Sequence, residues 1–362
     1  MSPLLVVAGE ASGDAFAAPV VSRLGVGAFG LGGRRLREAG ADVLFDATEV
    51  AAMGARGALV APRLGRALAT VARRISRERP RAALLVGFSE VNALVARLLA
   101  AKRIRVLWYA PPQAWAWRRG RAARIARTAN HLATVLPFEA PFWRNAGATA
   151  EYVGHPLLEW LPDAPRSADG ERLALLPGSR AHEVRAHLEP MLRAAAALAR
   201  PGAPPATLIL APGLERRTRA LAESSARQVG VVPSTASVRD ALPGHDVALV
   251  CSGTATLESA ALAVPPVIVY RTDPVTYALA KRLVSVPHVG LPNLVLGRRA
   301  FPEVLQEQVT ADQLERAVRD VRRAADGYRG SCVEVRNALR PEGRAGPSER
   351  VAAVLRPWLA EG

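Results

Sequence analysis

A short, uninterrupted apolar run, ended by a turn of small residues and followed by a helix-patterned segment, recurs along this chain and restricts it to a parallel α/β fold. The pattern is present at Leu4–Ala8 before Gly9-Glu10-Ala11-Ser12-Gly13-Asp14 and at Ala82–Val86 before Gly87-Phe88-Ser89-Glu90. It returns at Leu173–Leu176 before Pro177-Gly178-Ser179-Arg180 and at 247–250 before Ser252-Gly253-Thr254. Strands without polar residues are buried on both faces, which requires helices on both sides of the sheet. Apolar runs at 106–109, 131–136, 208–210 and 267–270 keep the same alternation. Such sheets bind ligands beyond the carboxyl ends of their strands, so the glycine turns are the places where function is expected.

The stretch from Asp246 to Tyr270 is the most informative of these units. Ser252-Gly253-Thr254 would present unsatisfied amides at the positive end of a helix dipole, which suits a diphosphate. Glu258, four residues after Thr254, falls on the same helix face and is placed to meet a ribose. The competing reading is that Ser252 or Thr254 simply caps a structural helix. Gly30-Leu31-Gly32-Gly33 also reads as a turn, too irregular for a dinucleotide fingerprint. The segment 110–118, with Pro111, Pro112, Trp115 and Trp117, is a loop whose rings either pack between domains or touch a ligand.

At 362 residues the chain is long enough for two domains, and the polar, proline-bearing stretch 161–170 reads as the linker. The expected organisation is a Rossmann-like domain over 1–160, a second over 171–340 and a terminal helical segment over 341–362, the two domains facing a cleft. Helical periodicity covers 63–79 up to Pro80. Thr310-Ala311-Asp312-Gln313 has the form of a capping box that opens a helix, with Gly327 as its stop. A last helix is expected over 348–359.

Export, transmembrane anchoring and nucleic-acid binding are not expected of this sequence. The start has no basic region, its apolar run stops at Ala8, and no run approaches the ~18 apolar residues of a membrane span. Cys251 and Cys332 are too few for a disulfide framework or a structural zinc site, which fits a reducing cytoplasm, and Cys251 reads as a small buried residue. A net charge of +16 suits nucleic acid, but it comes from arginines scattered along helices, with Lys102 and Lys281 the only lysines, and no nucleic-acid-reading motif accompanies it.

Taken together and in order, the turns carry a family resemblance. AGEASGD at 8–14, GLGGRRL at 30–36, AMG at 52–54, PPQAWAWR at 111–118, LPFE at 136–139 and VGHP at 153–156 are followed by LLPGSR at 175–180. SGTATLE at 252–258, Tyr270-Arg271, LPNLVLGR at 291–298 and PEVLQ at 302–306 complete the series. The chain resembles the lipid-A-disaccharide synthases, glycosyltransferases of the GT-B type, over nearly its whole length. The resemblance implies inverting transfer of 2,3-diacylglucosamine from its UDP derivative to the 6-hydroxyl of 2,3-diacylglucosamine 1-phosphate, without a metal and without a cofactor beyond the UDP-sugar donor. The chain contains no Asp-x-Asp motif, in keeping with metal-free departure of UDP. The resemblance also implies a cytoplasmic enzyme lying peripherally on the inner membrane, and a homodimer. Leu59, Val60, Leu64, Leu68 and Val71, flanked by Arg56, Arg63, Arg66, Arg73 and Arg74, form the candidate membrane patch, although a core-facing helix explains the same apolar spacing.

Donor binding is expected at Gly178, Ser179, Arg180, Ser252, Gly253, Thr254 and Glu258, to which the family pattern adds Asn293 and Gln306. Arg180 would also stabilise charge on the departing diphosphate. For the acceptor base the sequence departs from the family: the aspartate expected three residues before the position of Glu90 is replaced by Gly87. Glu90 is then the first candidate for the base, with Glu10, Asp14 and His155 behind it. The alternative is a divergent paralogue that binds UDP-sugars with a different acceptor or with little transfer. Other GT-B transferases and UDP-sugar epimerases are the nearest enzymatic rivals.

Overall fold

The computed structural model describes residues 2–47, 57–116, 120, 122–162, 170–273, 277 and 286–360. The AMG motif at 52–54, Trp117, Arg118 and residues 163–169 of the expected linker lie outside the described residues. The chain forms two compact units, one built from Met1–Glu159 with Pro341–Gly362 and the other from Trp160–Arg340. The terminal segment, read from sequence as separate, therefore belongs with the first unit.

The first unit holds a seven-stranded sheet. Its strands are β1 (Leu4–Ala8), β2 (Ala28–Gly32), β3 (Ala41–Asp46), β4 (Ala82–Val86), β5 (Arg105–Tyr109), β6 (His131–Thr134) and β7 (Ala150–Tyr152). The order is β3-β2-β1-β4-β5-β6-β7 and every pairing is parallel. The chain order reverses between β1 and β4, and β1 and β4 are wholly buried, as their unbroken apolar runs require. Gly30 and Gly32 lie inside β2 rather than in a turn. A Cβ on Gly30 would run into the Val6 carbonyl of β1, so the glycine marks a close backbone approach, which spacing cannot distinguish from a loop.

The helix Gly57–Glu78 supplies Val71 and Ile75 to the core of this unit, with Leu68 packed against it. Leu68 and Val71 of the expected membrane patch are thus core-facing. Arg74 is tied to Asp42 at 3.1 Å and Glu78 at 3.0 Å. The side chains of Leu59, Val60 and Leu64, and all of Arg56, lie outside the described residues.

The C-terminal helix Pro347–Ala360 buries Val351, Leu355 and Leu359 in the first unit. Glu159 accepts from the Ser348 amide at 3.0 Å and from its hydroxyl at 2.6 Å. Gly154 of the VGHP motif sits at φ +89°, where a Cβ would strike Pro341, so this motif makes room for the returning chain.

The second unit repeats the plan with β8 (Leu173–Leu176), β9 (Thr207–Ile209), β10 (Val232–Ser234), β11 (Val247–Cys251), β12 (Pro266–Tyr270) and β13 (Glu303–Leu305). Its order is β10-β9-β8-β11-β12-β13, again all parallel, with the reversal between β8 and β11. Thr310 caps the helix Ala311–Arg323 through the Gln313 amide at 3.4 Å. Gly327 does not end a helix. The break falls at Ala324, and Gly327 lies within the helix Ala325–Ala338.

Candidate functional site

Parallel pairing places the turns after β8, β11, β12 and β13 on one edge of the second sheet, around its reversal point, where such sheets bind ligands. After β11, Gly253 adopts φ 153° and ψ −165°, a region accessible essentially to glycine alone, and opens the helix Thr254–Ala261. A Cβ there would meet no heavy atom within 4 Å, so the space above the turn is open. Among the described residues, the amides of Gly253, Thr254 and Ala255 have no acceptor, as expected of an uncapped helix start.

Ser252 is not part of that group. Its amide donates to the Val269 carbonyl at 2.9 Å and its hydroxyl to the Val289 carbonyl at 3.0 Å. It therefore holds the edge together instead of offering its amide or hydroxyl hydrogen to a ligand. The phosphate-binding reading is carried by Gly253 and Thr254, with Ala255 added.

The turn after β8 is pre-shaped by a residue that sequence reasoning overlooked. Glu183 accepts from the amides of Ser179 at 2.8 Å and Arg180 at 3.0 Å, and pairs with the Arg180 guanidinium at 3.0 Å. Burial pushes its carboxyl up, but these amides and the guanidinium outweigh it and hold the group below the usual carboxylate range. Gly178, at φ +132°, leaves room for the Glu183 side chain. The spacing of Glu183 from Arg180 is that of a capping box, a signal present in the sequence. Arg180 itself is 71% exposed, so its pairing with Glu183 holds a cation at the edge without burying it.

His187 joins two of these turns. Its Nδ1 lies 2.9 Å from the Pro177 carbonyl, which can only accept, so this nitrogen carries the proton and Nε2 is left to accept from the Arg271 amide at 2.8 Å. Burial lowers its pKa and keeps the ring neutral, the form this bridge needs. Replacing His187 with Leu leaves a buried amide and a carbonyl unpaired, worth about 1–3 kcal/mol, and should weaken binding of the diphosphate ligand expected at this edge about tenfold. Calorimetry checks this, with a melting curve on the same sample; unchanged affinity would detach the bridge from the site.

Gln306 follows β13 and is 5% exposed, at φ +51°. Its Oε1 accepts from the Thr272 amide at 3.3 Å, while Nε2 has no partner among the described residues. Left-handed backbone at a non-glycine costs about 1–3 kcal/mol, and an unpaired buried amide costs similarly, so both costs fall on one residue. Asn293 differs. It is wholly buried, donates to the Phe301 carbonyl at 3.0 Å and Glu303 at 2.9 Å, and accepts from the amides of Ala300 at 2.9 Å and Phe301 at 2.8 Å. With both donors and both acceptor positions occupied, it positions the Leu291–Leu296 helix and reaches a ligand only through that segment. Glu303, also missed in the sequence, supports it by accepting from Gly290 at 2.9 Å.

Glu258 stands one turn into the Thr254–Ala261 helix. Burial raises its pKa to about 7, only partly offset by Arg239, and among the described residues the carboxylate makes no hydrogen bond.

In the first unit the turns after β1 and β4 flank the reversal point. They pack closely: a Cβ on Gly9 would enter the Phe88 ring. Gly87 and Phe88 are both left-handed, at φ +53° and +46°, and deliver the chain into the helix Ser89–Ala101 with Glu90 exposed on its first turn. Glu10 is exposed on the neighbouring turn. Asp14 and His155 are committed elsewhere. Asp14 accepts from the amides of Gly33 at 2.7 Å, Arg35 at 2.9 Å and Leu36 at 3.2 Å, which staples the β2 turn. His155 is buried, receives the Leu157 amide at 3.1 Å, and burial lowers its pKa to about 4, too weak a base for a hydroxyl at neutral pH. Trp115 donates to the buried Glu139 at 2.9 Å and stacks edge-on with Phe138, so this ring packs within the first unit.

Comparison with known proteins then separates fold from family. The family model for lipid-A-disaccharide synthetase matches residues 4–329. A lipid-A-disaccharide synthase of Anaeromyxobacter dehalogenans strain 2CP-1 is 38% identical over 372 residues, covering 96% of this chain and 95% of that protein. One from Geobacter metallireducens is 35% identical, with 99% and 97% covered. Among solved structures, a UDP co-structure of S. aureus MnaA has a TM-score of 0.67 at 12% identity, covering 99% of this chain and 97% of that one. Sucrose-phosphate synthase from Thermosynechococcus elongatus has a TM-score of 0.60 at 12% identity, covering 99% and 100%. At such identities these structures share the fold alone.

Proposed function

The chain belongs to the lipid-A-disaccharide synthetase family, and on that premise we propose that it transfers 2,3-diacylglucosamine from its UDP derivative to the 6-hydroxyl of 2,3-diacylglucosamine 1-phosphate. The single observation that supports this most is the edge of the second sheet: open amides at Gly253, Thr254 and Ala255 beside Arg180, with the unpaired Nε2 of Gln306.

In this reading the amides hold the donor diphosphate, and Arg180 turns from Glu183 toward the β-phosphate as negative charge grows there. Stabilisation realised mainly in the transition state is what raises turnover. Glu90 removes the proton of the acceptor 6-hydroxyl while its oxygen attacks C1. The C1–O bond to UDP breaks on the opposite face, UDP leaves with the electron pair, and the configuration inverts. Both substrates carry acyl chains, which places the work on a membrane surface. Among the described residues no helix is long and apolar enough to cross a membrane.

Glu258 provides a test of the donor side. Its carboxyl ionises as pH rises through about 7, and only the ionised form accepts from both ribose hydroxyls. UDP affinity should rise up to about tenfold between pH 6 and 8, beyond whatever change remains in Glu258→Gln. Parallel pH profiles for the two proteins, measured by calorimetry, would remove Glu258 from the ribose.

A further inference from the structure

A cavity of about 310 Å3 opens in the first unit between the Ser89–Ala101 helix, the 112–114 loop and the short helix Ala122–Ala126. Ligand pockets run from ~300 to 1,000 Å3, so this one accommodates a single chain and not a whole diacylated sugar. Its walls are aliphatic: Ala93, Leu94, Pro112, Ala114 and Ile125 line it, and Ala114 and Ile125 belong to the core beneath. Leu94 is 58% exposed and Leu98, one turn further along the same helix, 41%, so the apolar lining continues to the surface at the cavity mouth.

Two cations stand at the rim. Arg97 and Arg124 line the cavity, are exposed, and have no acidic partner among the described residues, whereas many arginines elsewhere in the chain are paired. Glu90 lines the same cavity, two helical turns before Arg97, or about 10 Å along the helix axis. An apolar pocket with unpaired guanidinium groups at its rim fits an anionic amphiphile.

We propose that this cavity receives one acyl chain of the acceptor, with Arg97 and Arg124 binding its 1-phosphate; the assignment rests on the transferase reading for the identity of that amphiphile. The chemistry is consistent, because the phosphate at C1 and the acyl chain at C2 leave adjacent ring atoms. The attacking 6-hydroxyl is carried on the other side of the ring, toward the Glu90 end of the helix. Arg97 and Arg124 thus fix which hydroxyl is presented.

Binding of alkyl phosphates below their micellar concentration tests this without UDP or transfer, so its failure and the failure of the transferase reading are distinguishable. The expected result is that dodecyl phosphate binds at least about a hundredfold more tightly than butyl phosphate, since each buried methylene contributes roughly fourfold. Leu94→Asp, at an exposed position that the fold tolerates, should remove most of that increment. Arg97→Gln and Arg124→Gln should each weaken both ligands about tenfold and leave the increment. Equal affinity for the two chain lengths in the unaltered protein, or an increment that survives Leu94→Asp, overturns the proposal.

Discussion

Replacing Glu90 with Gln should lower turnover about 10²–10⁴-fold while leaving UDP affinity unchanged, because a sugar hydroxyl is a poor nucleophile and loses its proton acceptor. The substitution keeps the size of the side chain and the helix start, so a loss confined to turnover identifies a missing base. Glu10 is the remaining exposed carboxylate of the two adjacent turns, and Asp14 and His155 are held by backbone amides or burial. If Glu90→Gln keeps full turnover and Glu10→Gln loses it, the roles of the two carboxylates are exchanged.

Gly87→Asp should act in the opposite direction and raise disaccharide formation by about one to two orders of magnitude, less than the full ~10²–10⁴-fold of general-base assistance because Glu90 already supplies part of it. The position permits it. A Cβ at Gly87 meets nothing within 4 Å, and its φ of +53° is a conformation that aspartate adopts more readily than most residues. The family pattern places an aspartate there, so the substitution restores a carboxylate without repacking the turn. A gain indicates an active site working below its capacity with Glu90 alone. No gain, with UDP binding intact, favours a protein that uses a different acceptor.

Much of this architecture is legible in the sequence, for physical reasons specific to each element. The runs at β1, β4, β8 and β11 are apolar without interruption, which only a sheet covered on both faces explains. The edge and glycine-bearing strands were not legible. β2 reads as a turn because Gly30 serves a close approach to Val6, and β7, β10 and β13 are too short to show periodicity. In the candidate site, Gly253, Thr254 and Glu258 follow from helix-start chemistry, whereas Ser252 and Asn293 do not act as their types suggest. Their partners, Val289, Phe301 and Glu303, are brought to them by tertiary folding across 8 to 37 residues of chain. His187 is hidden for the same reason. Its bond to Arg271 spans 84 residues, and nothing in the helix 181–198 singles it out.

The two units also differ in what they commit. On the proposed donor edge, hydrogen bonds involving His187, Glu183, Ser252 and Glu303 hold the turns after β8, β11 and β12 and the 289–290 segment in advance, so the amides proposed to receive charge need little reorganisation. On the proposed acceptor side, the turn after β4 is left-handed at two successive residues and carries its carboxylate on an exposed helix start. Donor binding is accordingly expected to be the more robust property and transfer the more sensitive one.

Mass-spectrometric detection of the disaccharide, formed by the purified protein from UDP-2,3-diacylglucosamine and 2,3-diacylglucosamine 1-phosphate, tests the central claim most directly. The predicted result is a tetra-acylated disaccharide 1-phosphate accumulating in step with released UDP. Release of UDP without disaccharide, or no consumption of either sugar by protein that binds UDP, would contradict it.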